Sequence, residues 1–229
     1  SRMVAPHLQG RAITVAMLGA PIALSLGIPA GTLLGTLIGW RLSFAIMTAL
    51  TVLLVIWVRW QVPDFAGEPE GKRLPLRKVF TLPGVRPVLF VTLTYVVAHN
   101  LLYTYIAPFL QPSGLDTSVD RVLLVFGLAS VLSLWIVGSL IDRWLRELVL
   151  ISAALFMLSA IALGLWRESA GVIYIATAVW GLAFGAMPSL LQTASAKTAK
   201  DAADTAQSML VTLWNVGIAG GGLAGGLLL

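Results

Sequence analysis

The chain has 229 residues, of which 58% are hydrophobic and 11% are charged. A soluble domain is about 45–50% apolar and about 25% charged, so this composition predicts an integral membrane protein. The absence of cysteine excludes disulfides and thiolate metal sites. The net charge of +5 does not indicate nucleic-acid binding, because the basic residues lie between apolar segments and form no single basic face.

Seven uncharged runs in the sequence are candidates to cross a bilayer, which takes about 20 apolar residues. They cover residues 12–40, 42–58, 87–115, 122–141, 148–166, 169–196 and 205–229. The second run is short and is expected to extend to Arg59, whose long side chain can reach the lipid headgroups. The sequence therefore predicts an all-α membrane protein with seven transmembrane helices. No cleavable signal peptide is visible, and the first and last residues suggest a chain cut at both ends.

Basic residues are distributed unequally between the two sides of these spans. Twelve of the fifteen Lys and Arg residues lie at the amino end and in the connections 59–86, 142–147 and 197–204. Because basic connections remain in the cytoplasm, the amino end is predicted to be cytoplasmic. The connection 62–86 is rich in proline, glycine and charge, which is typical of a linker between two helical bundles. A short surface segment near residues 76–82 is expected there, with basic side chains facing lipid headgroups.

Small residues recur at every fourth position of the first run. On a helix this spacing forms a bare ridge, along which a second helix can approach closely. The ridge comprises Gly19, Ala23, Gly27, Gly31, Gly35 and Gly39. Pro29 lies inside it and predicts a bend. The ridge is expected to pack either within its own bundle or against the fourth span near residues 127–138.

The last run repeats this spacing with Gly217, Gly221 and Gly225. If the first and last spans are equivalent members of two repeats, they lie six helices apart, which is two sets of three. Such an internal repeat of the small-residue pattern is typical of transporters built from structural repeats.

Three motifs of the chain resemble those of a known family. The first is Gly27-Ile-Pro-Ala-Gly31, followed by Gly35 and Gly39-Trp-Arg, and it resembles the fifth-helix antiporter motif of the major facilitator superfamily. Residues 100–110 resemble the seventh helix of its twelve-helix drug:proton antiporters and arabinose-efflux permeases. Gly138-Ser-Leu-Ile-Asp142-Arg143 resembles its Gly-xxx-Asp-Arg cytoplasmic turn, although Leu145 stands where glycine is common. The resemblance covers nearly the whole chain and would match helices five to eleven of twelve.

The resemblance implies a two-bundle fold. Residues 1–61 would be the last two helices of the first bundle, 62–86 the cytoplasmic linker, and 87–229 the first five helices of the second bundle. The two bundles would rock about a site at the membrane midplane, with no enzymatic chemistry, cofactor or metal. The residues expected to control this motion are Gly19, Gly27, Pro29, Gly31, Gly35, Asp142 and Arg143. Asp142 would act as a latch on the partly positive N-terminus of the first span, or would pair only with Arg143 or Arg146.

The resemblance implies that such a protein exports small amphipathic molecules, such as drugs, sugars or nucleosides, by proton-coupled transport. Its partners would be that solute, protons, the lipid bilayer and the missing helices of the parent transporter, without nucleic acid. A bacterial plasma membrane is the expected location. In such exporters the proton-titrating carboxylates often lie in the first bundle, whereas none of the seven runs contains an acidic or basic residue other than histidine.

The residue at the middle of each predicted span should lie at the membrane midplane. Side chains at that depth in the third, sixth and seventh spans are the candidate substrate-binding residues, which we call the substrate wall. Polar or aromatic side chains at that depth, or on the same helix face, are Tyr95, His99, Asn100, Tyr103, Trp180, Phe184, Thr212 and Asn215. Aromatic area would supply affinity, and a few amides and hydroxyls would orient the solute. His99 is either a carrier of the coupled proton or a neutral imidazole that packs against a neighbouring helix. Asn215 has the same structural alternative, as a hydrogen-bonding residue between helices.

Three other classes compete with this interpretation. A seven-helix receptor or sensor matches the number of spans, but a retinal pigment would need an intramembrane lysine with a carboxylate partner. An intramembrane enzyme would need a convergent set of acids, bases or metal ligands, and His7 and His99 are the only histidines. A non-transporting fragment of a transporter is the third alternative.

Overall fold

A computed structural model describes residues 37–63 and 74–228, together with residues 19, 27, 31, 34 and 35. Every regular element within these residues is helical. The α-helices are α1 (Trp40–Gln61), α2 (Leu76–Phe80), α3 (Val85–Thr104), α4 (Ile106–Leu110), α5 (Val119–Leu165), α6 (Ala170–Gly185), α7 (Met187–Ala199) and α8 (Ala203–Leu228). Within the described residues, five helical stretches are long and apolar enough to cross a membrane. The predicted all-α membrane fold is confirmed.

The second predicted span is α1, which extends the predicted run 42–58 to Trp40 and Gln61. Gly39 precedes it with a φ of 81°, in the left-handed region that glycine adopts without strain. Gly39 therefore marks the turn into the second span and does not continue the helical ridge of the first.

The longest helix, α5, contains a sharp reversal. Trp144 has φ and ψ values of −123° and 30°, which are not helical. We call residues 119–143 α5a and residues 145–165 α5b. A straight helix of 47 residues would be about 70 Å long. Yet Ser130 of α5a and Ser159 of α5b donate hydrogen bonds to the carbonyls of Gly181 and Ala176, which are close neighbours in α6. The chain therefore turns back at Trp144, inside the predicted connection 142–147.

Close glycine contacts join α6 to α5a. A Cβ at Gly181 would collide with the Phe126 carbonyl, and one at Gly185 with the Ser130 backbone. Because both residue numbers increase together along this contact, α6 and α5a are parallel.

The glycine ridge of the last span packs against the third span. Gly217, Gly221 and Gly225 are all buried in α8. A Cβ at Gly221 would lie 2.7 Å from the Val97 carbonyl oxygen and 2.8 Å from the Asn100 Cβ. The contacts advance together along both helices, so α3 and α8 are parallel, as two spans separated by three others should be.

Four glycines of the first-span ridge are among the described residues. A Cβ added at Gly19, Gly27, Gly31 or Gly35 would have no described atom within 4 Å. The contact with residues 127–138 stays a prediction, because most of the first span lies outside the described residues. Pro29 lies outside the described residues.

Two spans are interrupted beside a proline. The third span breaks between α3 and α4, next to Pro108, and the sixth breaks between α6 and α7, next to Pro188. A proline ring has no N–H group and clashes with the carbonyl four residues earlier. These carbonyls belong to Thr104, where α3 ends, and to Phe184, one residue before α6 ends.

The predicted surface segment before the third span is present as α2. Its Val79 is fully buried, and the Arg86 guanidinium lies 5.1 Å from the centre of the Phe80 ring. Arg86 Nε also donates a hydrogen bond of 3.2 Å to the Phe80 carbonyl. Gly84 closes this turn against Thr198 at the end of α7.

Candidate functional site

The centre of the helical bundle is a cluster of aromatic side chains from four helices. Its members are Tyr95, His99 and Tyr103 of α3, Phe126 of α5a, Phe156 of α5b, and Trp180 and Phe184 of α6. We call these residues the aromatic core. The spacing of four along α3 puts its three members on one face, as predicted. Ring centroids such as those of Tyr95 and Phe156, 5.0 Å apart, lie in the usual range for aromatic pairs.

His99 is buried within this core and accepts a hydrogen bond from another member. The Trp180 indole Nε1 donates to His99 Nδ1 over 3.1 Å. Indole nitrogen is only a donor, so Nδ1 acts as the acceptor and the imidazole proton lies on Nε2. The His99 ring also stacks on Phe184 with an interplanar angle of 10°. This arrangement supports the packing interpretation of His99, whereas its role as a proton carrier stays a prediction.

The structure divides the predicted substrate wall into two surfaces. Tyr95, His99, Trp180 and Phe184 are buried, and Tyr103 is half-buried. These residues form the inside of the bundle and not an open wall.

The three predicted substrate residues with amide or hydroxyl groups, Asn100, Thr212 and Asn215, lie outside the aromatic core. Asn100 is at the contact of α3 with α8, and its Nδ2 donates to the Val96 carbonyl over 3.0 Å. Thr212 and Asn215 are on an exposed face of α8, where they donate to the carbonyls four residues earlier. None of these three side chains contacts the aromatic core through a hydrogen bond to a described residue.

The Gly-xxx-Asp-Arg turn is at the reversal of α5. Asp142 and Arg143 are both exposed and directly precede Trp144. We call the end of the bundle that carries Arg143, Arg146, Lys197 and Lys200 the basic end. The latch partner predicted for Asp142, residues 10–14, lies outside the described residues.

Sequence reasoning missed a cavity of about 740 Å³ near the basic end, between α5a, α7 and α8. Its polar side chains come from α7 and from the start of α8. They are Ser189, Gln192, Thr193, Lys197, Asp204 and Gln207. Its apolar wall is the last part of α5a, including Leu134, Trp135 and Ile141. The cavity begins at Ala186, two residues after Phe184, so the break beside Pro188 separates it from the aromatic core.

A polar stripe on α8 continues from this cavity towards the middle of the span. Asp204, Ser208, Thr212 and Asn215 are all exposed, at spacings of four, four and three residues. Such spacing places them along one side of the helix. Polar groups are costly against lipid and normally face protein or a water-filled space. The stripe therefore links the two predicted residues Thr212 and Asn215 with the cavity that the sequence did not predict.

Interrupted helices, alternating helix directions and a polar cavity inside an apolar bundle define a multi-span protein of the secondary-transporter class. Comparison with known proteins agrees with this class. The family model of the Major Facilitator Superfamily matches residues 1–222. The chain belongs to the Major Facilitator Superfamily, a family of membrane transporters and not of enzymes.

One curated relative comes from Mannheimia succiniciproducens and is named "Probable sugar efflux transporter". It is 26% identical over 226 residues, which are 98% of this chain and 57% of the relative. The chain thus spans little more than half the length of that protein.

Proposed function

We propose that this chain forms part of a proton-coupled secondary transporter that exports small hydroxylated, amphipathic solutes, with sugars as the first candidates. Alternating access is expected from the family, and the name of the relative supports both the direction of export and the solute class. The observation that carries the proposal is the polar cavity near the basic end. It places amides, hydroxyls and one charge of each sign in a bundle whose described buried residues include no Asp, Glu, Lys or Arg.

The chain would act together with further helices. Residues 1–61 would complete a first bundle, residues 62–86 would link the bundles, and residues 87–229 would be most of the second. The share of the relative that this chain covers leaves room for the missing helices. The exposed polar stripe of α8 would then face the first bundle across the transport pathway.

The orientation follows from the basic residues. The basic end would be cytoplasmic, as would the amino end, in a bacterial plasma membrane. In this orientation the cavity opens to the cytoplasm, which is where an exporter must load its solute.

Proton coupling would depend on a group outside the aromatic core. His99 is the only titratable side chain other than tyrosine in the seven uncharged runs, and its Nδ1 is occupied by the Trp180 indole. A carboxylate in the first bundle is therefore the better candidate for the coupled proton. The alternatives of a receptor and of a non-transporting fragment have no comparable support from the cavity.

Transport assays on inside-out vesicles would test this proposal. The transporter that contains this chain is expressed in a strain without its own sugar exporters, and an imposed proton gradient is expected to drive accumulation of radiolabelled lactose or arabinose. Abolishing the gradient with an uncoupler should abolish accumulation. Equal accumulation with and without the gradient would contradict proton coupling, and no accumulation of any sugar would contradict the solute class.

A further inference from the structure

We infer that the cavity near the basic end is the first binding site for an outgoing neutral polyhydroxylated solute. This inference rests on the proposed function and goes further by placing a site away from the midplane residues. The site is formed by Gln192 on α7, Gln207 on α8 and Trp135 on α5a.

The polar groups of the cavity suit hydroxyl groups. A glutamine amide offers both a carbonyl acceptor and an NH₂ donor, so Gln192 and Gln207 can each bind two neighbouring hydroxyls. Neither amide makes a side-chain hydrogen bond to another described residue in this structure, and both side chains are partly accessible. They are therefore available to a solute.

The charges of the cavity favour a neutral solute. Lys197 and Asp204 are its charged lining residues among those described, and their formal charges cancel. An anion would gain from one and be repelled by the other, and the reverse holds for a cation. A hydroxyl can donate to the carboxylate and accept from the ammonium, so a neutral polyol can use both groups.

The apolar wall fits the other face of a sugar. Trp135 is 80% exposed and lines the cavity, so its ring offers a flat apolar surface. The C–H face of a pyranose can lie against such a ring while its hydroxyls point at α7 and α8. A volume of about 740 Å³ falls in the range of small-molecule sites and can hold a mono- or disaccharide.

The position of the cavity indicates the next step of the pathway. Asp204 and Gln207 line the cavity, and the stripe of α8 continues past Ser208 and Thr212 to Asn215. A solute leaving the cavity would thus find polar groups at every helical turn towards the midplane.

Protection of introduced cysteines tests the site directly. The chain contains no cysteine, so the thiol added by Gln192→Cys or by Gln207→Cys is the only one in these 229 residues. In inside-out vesicles, lactose should slow the reaction of both thiols with a membrane-impermeant maleimide. The rate should fall about tenfold at a lactose concentration about ten times its dissociation constant, since the empty fraction falls in that ratio. Arg146→Cys is the control, because Arg146 is exposed at the basic end but does not line the cavity.

The result separates this inference from the proposed function. Lactose transport by the unmodified protein without protection at either position would overturn the site and leave export intact. Protection without transport would support the site and contradict export. Protection by glycine betaine, a zwitterion without hydroxyl groups, and not by lactose would overturn the assignment of a polyhydroxylated solute. Equal slowing of the Arg146→Cys reaction would show a general change of shape and would also overturn the site.

Discussion

The Trp180 indole and the His99 imidazole are joined by a hydrogen bond of 3.1 Å that links the third span to the sixth inside the aromatic core. It connects residues 81 positions apart in the sequence. Trp180 lies six residues, less than two helical turns, before the break at Ala186, so the bond fixes the last part of α6 beside the cavity. Both partners are buried, and water cannot readily replace either of them.

Removing the Trp180 indole N–H, which donates to His99, should destabilise the bundle. Trp180→Phe would leave His99 Nδ1 buried without a partner, at a cost of about 1–3 kcal/mol. A lower midpoint of thermal unfolding is expected for the purified transporter in detergent. Adding His99→Phe should cost less than the sum of the two single changes, because the orphaned acceptor is then gone. Additive losses in this double-mutant cycle would contradict the coupling of the two residues.

Proton coupling should persist when His99 is replaced by a residue that can still accept the Trp180 hydrogen bond. The amide oxygen of His99→Gln can accept the Trp180 hydrogen bond, so we expect near-normal stability, coupling and pH profile. The measurement is solute-driven proton movement in vesicles, with His99→Phe as the variant that lacks an acceptor. A well-folded His99→Gln transporter that no longer couples would restore His99 as the proton carrier.

Sequence patterns predicted the spans well because composition and charge act locally. The bilayer requires long apolar runs, and Arg41, Arg121 and Arg167 sit at their ends for the same reason. The reversal at Trp144 was placed correctly, because Asp142 and Arg146 interrupt an apolar stretch that is too long for one crossing.

The candidate site was predicted less well because depth in the membrane does not determine which way a side chain points. Tyr95 and Asn215 have similar depth, since Gly217 meets Val96, yet Tyr95 is inside the bundle and Asn215 is on its open face. The cavity was missed because counting centred the sixth span near residue 182. A signal was present in Ser189, Gln192 and Thr193, three polar residues on one face of an apolar run.

The ridge on α8 should tolerate no side chain at its centre. Gly221→Val would push against the Val97 carbonyl and the Leu101 amide nitrogen, which are backbone atoms and cannot move alone. Overpacking of this kind costs about 1–3 kcal/mol. The matched control is Gly222→Val, since a Cβ at Gly222 would have no atom within 4 Å. Equal stability of the two variants in thermal unfolding would contradict tight packing of α8 on α3.

Asp142 should bias the transporter towards the state in which its basic end is closed. A carboxylate near the C-terminus of its own helix is unfavourable, and the positive N-terminus of another helix would stabilise it. Asp142→Asn would lose about 0.3–1 kcal/mol, which lowers the ratio of closed to open transporters about two- to fivefold. Maleimide labelling of Gln192→Cys would measure this as faster reaction, with Asp142→Glu as the control. If Asp142→Asn leaves both the labelling rate of Gln192→Cys and transport unchanged, the latch is contradicted and Asp142 is a solvated turn residue.

The open ridge of the first span should be needed for motion and not for folding. No described atom lies within 4 Å of a Cβ at Gly31, so Gly31→Leu should insert and remain folded. If the ridge meets the second bundle when the transporter changes state, the added side chain would hold the bundles apart and abolish transport. Vesicle transport and detergent stability would be measured together, with Gly164→Leu as the control at a second open glycine. Full transport by Gly31→Leu would show that this ridge forms no close contact at any stage of the cycle.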